Sequence, residues 1–141
     1  MRDFQRKRLY DWESEEFGWD DTMLTLDQCQ QLTNTLIRGI VVKDGRGRRS
    51  PCAKYNKREI ALPKFSRKKW IVIHEVAHFV KRDMHGPNFV RAYIEILARE
   101  YGRSIDSLVS SAEEVGLKVA PQPAPEKTKI CSKTSDLRVS I

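Results

Sequence analysis

The chain has 141 residues, 40% of them hydrophobic and 32% charged, which is enough for one domain with a modest core and too little for two. No apolar run approaches a membrane span, and the N-terminus carries charges where a signal peptide has its apolar stretch, so a cytoplasmic protein is expected. The net charge is +7, and three widely spaced cysteines, Cys29, Cys52 and Cys131, argue against a disulfide framework or a CxxC metal site.

Residues 1–21 mix both signs of charge with Phe4, Tyr10, Trp12, Phe17 and Trp19. So many rings in a short charged stretch predict an ordered arm whose side chains fill gaps against the domain that follows, residues 22–120. Thr25 with Gln28 makes a capping-box pair, and Leu26, Cys29, Leu32, Leu36 and Ile40 recur near helical spacing, which predicts a helix that Gly39 can end. Ile40 to Val42 reads as a strand and Asp44-Gly45 as a turn. Two more short strands, 53–55 and 59–62, flank Asn56-Lys57, and Pro63 stops the second.

Ser66 is the predicted N-cap of the next helix, with Arg67, Lys68 and Lys69 in its first turn. Cations there oppose the helix dipole, at a cost of about 1 to 3 kcal/mol for the three. They belong to a basic run, Lys43 to Lys69, with eleven Lys or Arg against Asp44 and Glu59, a local balance of +9 that exceeds the charge of the whole chain. Such a run is expected where an anionic partner such as DNA is held, with Arg67, Lys68 and Lys69 as candidate phosphate contacts.

Trp70, Ile73, Ala77 and Val80 form the core stripe of that helix, which should end near Arg82. Gly86 and Pro87 suit the start of another helix, with Val90, Tyr93, Ile94, Leu97 and Tyr101 at core spacing and Gly102 ending it. Phe89 is expected to pin the turn before it. Ser104 can cap a last helix that ends at Gly116. Pro121, Pro123 and Pro125 introduce a basic tail, residues 121–141, that is expected to be disordered.

The chemistry lies in 70–89, WIVIHEVAHFVKRDMHGPNF, which holds all three histidines. On a helix His74 and His78 project from one face a turn apart, the spacing that two ligands of one metal ion need. Glu75 lies one residue round the helix, where a carboxylate can serve as general base without ligating. A catalytic zinc takes a third protein ligand and keeps one position open. His85 is the nearest candidate, and Glu95 or Glu100 of the following helix would be the alternative.

HEVAH followed after six residues by HGPNF resembles the SprT-like (Spartan-type) zinc metallopeptidases. The segments RDFQRKRLYDWE and EIALP are also similar to a small group of actinobacterial and phage metallohydrolases. The resemblance implies Zn2+ held by His74, His78 and His85, and a zinc-activated water that attacks a peptide bond with Glu75 as base. The implied fold is a small α+β zincin-like domain whose short, mostly antiparallel sheet packs on the HExxH helix, followed by one or two helices. The implied substrates are proteins on or near DNA. A regulatory protease of phage or host that cuts a repressor, and a basic DNA-binding module with a structural zinc, are the other functions compatible with these residues. An extended substrate is expected to add as a strand beside the segment that precedes the metal helix.

Overall fold

The computed structural model describes residues 3–122, and among these the chain forms five α-helices and one small sheet. In chain order they are α1 (Arg6–Phe17), α2 (Leu26–Leu36), β1 (Val41–Asp44), β2 (Cys52–Lys54), β3 (Glu59–Leu62), α3 (Lys69–Val80), α4 (Pro87–Tyr101) and α5 (Ile105–Glu114). The α+β class is as expected. The tail beyond residue 122, with Cys131, lies outside the described residues. Among the described residues no helix is long and apolar enough to cross a membrane.

The sheet is mixed, a departure from the mostly antiparallel one expected. Its order is β1-β3-β2, with β2 antiparallel to β3 and β1 parallel to it, Val42 opposite Ile60 and Asp44 opposite Leu62. The β2–β3 hairpin leaves one side of β3 free, and β1 fills that side because Val42 then joins Ile60 and Leu62 in one apolar cluster. Gln30 of α2 seals the outer edge of β1, donating to Ile40 O at 2.9 Å and accepting from the Val42 N–H at 2.8 Å. The outer edge of β2 has no partner strand among the described residues.

α3 runs through the middle of the molecule. Trp70, Ile73 and Ala77 face a cluster built from α1, α4 and α5, while Val72 and Val76 face the sheet and α2. The helix is thus buried on two faces, where a single core stripe was expected, and Val80, placed in that stripe, is 44% exposed.

The capping box of Thr25 and Gln28 is formed in full. α2 stops at Leu36, short of Gly39, because Ile37 is already extended and joins the sheet-side core, and Gly39, at φ 77°, makes the turn that follows. Ser66 is not the N-cap of α3. It closes a 3-10 turn, Lys64–Ser66, by donating its N–H to Pro63 O, and Lys68 caps α3 from an extended conformation. Only Lys69 therefore stands inside the first turn, and the dipole cost expected for three cations shrinks to that of one.

The first residues are more than an arm. Residues 6–17 form α1, with Leu9, Trp12 and Phe17 buried, whereas Phe4 and Trp19 are 79% and 68% exposed. The helix escapes a periodicity search because Glu13 sits on the same buried face and no side chain caps its N-terminus. Pro87 opens α4, Gly102 closes it in the left-handed conformation, and Ser104 caps α5, all as the sequence predicts.

Candidate metal centre

His74, Glu75 and His78 are carried by α3, and His85 returns to them on the loop 81–86. The loop is held by local chemistry. Asp83 accepts the N–H groups of Asn88 and Phe89 at 2.9 and 2.8 Å, capping α4 in place of Gly86, which has no side chain to do so. A Cβ on Gly86 would lie 2.6 Å from Asp83 Oδ2, so this close approach requires glycine. Met84 takes a left-handed φ of 60° just before His85, and the buried His85 carbonyl accepts from Gln5 Nε2 at 2.9 Å.

The three histidines can each offer one ring nitrogen such that all lie within 4.8 Å of one another. Phe89, fully buried, underlies all three rings and stacks on His78 at 4.4 Å. Glu13 of α1 lies at 2.8 Å from His74 Nδ1, and Asp3 at 2.6 Å from His85 Nδ1. With Nδ1–H donating to a carboxylate in each case, the two Nε2 lone pairs face each other across 3.2 Å. Two acceptors so placed are stabilised by a cation between them, either a metal ion or a shared proton. His78 adds a third ring nitrogen to the cluster, and among the described residues its buried Nδ1 has no hydrogen-bond partner. The donor set therefore fits a metal ion.

Burial pushes His78 down to about 2, helped by the proximity of His74 and His85, and it pushes His85 down against the pull of Asp3. Both rings are thus neutral, the form that ligates. For His74 the burial effect is overcome by Glu13, whose charge and hydrogen bond raise it. Burial raises the Glu75 carboxyl, opposed by His74. Glu75 is 6% exposed, with Oε2 4.0 Å from His74 Nε2. It borders a cleft of about 270 Å³ that the histidines share with Tyr10, Cys52 and Tyr55.

The alternative third ligands lie elsewhere. Glu95 accepts from Arg91 at 2.8 Å, and Glu100 is held between Lys69 and Arg99 at 3.6 Å, and neither joins the cluster. Of the candidate phosphate contacts, Arg67 is spent on Asp44 and Leu62 O, Lys69 reaches Glu100 and its carbonyl, and Lys68 lies 6.0 Å from the Trp70 ring.

Sequence reasoning missed Asp3, Glu13 and Tyr93 as part of this site. One signal was available for Glu13: it falls four residues after Leu9 and four before Phe17 on a helix, and a carboxylate on an apolar face must find a partner. Comparison of the chain with family models, with curated proteins and with solved structures finds no match, and the metal-binding geometry stands on the residues alone.

Proposed function

We propose that the chain is a zinc-dependent peptidase with His74, His78 and His85 as ligands and Glu75 as general base. The observation that carries this is three imidazoles converging at the wall of an open cleft with a buried carboxylate beside them. Three imidazoles suit zinc, and three protein ligands leave the open position that a closed structural site lacks. A zinc held there supplies Lewis acidity and a water acidified toward neutral pH. Glu75, with its carboxyl raised by burial, is suited to take up a proton in the cleft and pass it to the leaving amine. Cys52 and Ala53 of β2 border the cleft beside a strand edge that is free among the described residues, which favours an extended peptide as substrate.

DNA-associated proteins are the substrate class we favour. Arg46, Arg48, Arg49 and Lys64 are exposed on the loop after β1 and on the 3-10 turn, and Arg46, Arg48 and Lys64 border one cavity with Phe65, itself 65% exposed. Cations around an exposed ring suit a single strand whose bases stack and whose phosphates need neutralising.

The deciding assay incubates zinc-loaded protein with mixed unfolded proteins, with and without single-stranded DNA. Cleavage is expected from the wild type, is lost on chelation, and falls at least about 100-fold in Glu75→Gln, the scale of a lost general base, while metal content stays constant. Cleavage by Glu75→Gln at the wild-type rate would remove Glu75 from the mechanism.

A further inference from the structure

An imidazole that ligates through one nitrogen is oriented by whatever holds the other. Here both holders come from a single stretch at the start of the described chain. The His74 Nδ1–H donates to Glu13 Oε1 at 2.8 Å and the His85 Nδ1–H to Asp3 Oδ2 at 2.6 Å. Glu13 is 7% exposed and shares the buried face of α1 with Leu9, Trp12 and Phe17. It accepts a second bond, at 2.9 Å, from the hydroxyl of Tyr93, which is fully buried and also reaches Trp70 O. Gln5, between the two carboxylates in sequence, donates to the His85 carbonyl and accepts the Lys118 N–H. A carboxylate on an apolar helix face is costly unless it is paired, and the pairs this one makes are the buried ring of a metal-ligating histidine and a buried phenol.

We propose that Glu13 and Asp3 are positioning residues of the metal centre, each holding the Nδ1 proton of its histidine so that Nε2 of His74 and of His85 is presented to the ion. The segment from Asp3 to Phe17 is then part of the metal site. The proposal rests on the metal-binding cluster described above. It is asymmetric: among the described residues Glu13 is braced by Tyr93, the Asp3 side chain makes its one hydrogen bond to His85, and His78 has no carboxylate partner and is oriented by its stack on Phe89.

The test titrates Zn2+ against a competing chelator into the wild type, Glu13→Gln, Asp3→Asn and, as a control on the exposed side of α1, Asp11→Asn. Ring 15N spectra of the metal-free proteins are recorded in parallel. Zinc affinity is expected to fall about 10- to 100-fold in each of the first two variants and to stay unchanged in Asp11→Asn. The spectra should show His74 and His85 protonated at Nδ1 in the wild type, with His74 alone disturbed in Glu13→Gln and His85 alone in Asp3→Asn. That residue-by-residue pairing would not follow from general loosening of the fold. If Glu13→Gln fails to fold, Asp3→Asn decides, since Asp3 lies outside the apolar core. Wild-type affinity and unaltered ring spectra in folded variants overturn the proposal while leaving the metal centre intact. A wild-type chain that takes up no zinc sinks the metal centre and this role together.

Discussion

His85 is the member of the histidine cluster whose position no short-range rule decides. His74 and His78 are tied to each other by helical spacing, so their partnership is legible in five residues of sequence. The path of 81–86 depends on a left-handed Met84, a close approach at Gly86 and a side-chain cap from Asp83 placed three residues before the expected position. The sequence therefore leaves Glu95 and Glu100 open as rivals, and the geometry separates them. His85→Ala should release the metal on dialysis against a mild chelator. Glu95→Ala and Glu100→Ala should retain it, with stability changed by no more than about 0.5 kcal/mol for the more exposed Glu95. Atomic absorption on the three dialysed proteins checks this, and retention by His85→Ala alongside loss from either glutamate variant would reassign the third ligand.

Among the elements, α1 is the one that sequence reasoning under-read, for a reason visible in its residues. Leu9, Trp12 and Phe17 carry the helical period, but Glu13 interrupts the stripe and the surrounding charge hides it. α2, α4 and α5 were legible because their ends carry capping chemistry: Thr25 with Gln28, Pro87 and Gly102, Ser104. The parallel pairing of β1 was illegible because it depends on an apolar cluster shared with α3, which no local pattern encodes. The seam between α1 and α5 makes its own prediction. The Trp12 indole donates to Ser111 Oγ at 2.9 Å, and Glu16 accepts from the Ser111 hydroxyl and from Arg103. Burial pushes the Glu16 carboxyl up, but the bonds from Ser111 and Arg103 prevail and hold it below its ordinary 4.5. A carboxylate depressed in the folded state stabilises fully above its ordinary value and loses that contribution as pH falls through the folded one. Metal-free Glu16→Gln should therefore melt below the wild type at neutral pH, and the gap should close as pH drops below 4.5. Thermal unfolding across that range tests it, and a gap independent of pH would show that Glu16 acts by packing.

At the scale of the molecule the excess charge is concentrated in the run from Lys43 to Lys69, yet Arg67 and Lys69 beside α3 are occupied internally. Under the proposed DNA role, the exposed candidates for phosphate contact are Arg46, Arg48, Arg49 and Lys64. Binding to single-stranded DNA should weaken with salt at a log-log slope of about 0.7 per phosphate contact. The triple change Arg46→Gln, Arg48→Gln, Arg49→Gln should flatten that slope without altering zinc content, and identical slopes would leave the run a solvated face. Lys69→Gln should instead cost stability, since Lys69 bonds the Glu100 carbonyl at 3.1 Å. The contacts that brace the metal centre also join distant parts of the chain: Asp3 meets His85, Glu13 meets His74 and Tyr93, and Gln5 meets Lys118. Local helices form quickly, whereas contacts of such sequence separation come late and carry the loop-closure entropy. On a ribosome, which issues the N-terminal end first, α1 waits for almost all of the remaining described chain before its buried face is covered. A nascent chain thus carries His74 and His78 on α3 before the cluster with His85 and its carboxylate partners can close.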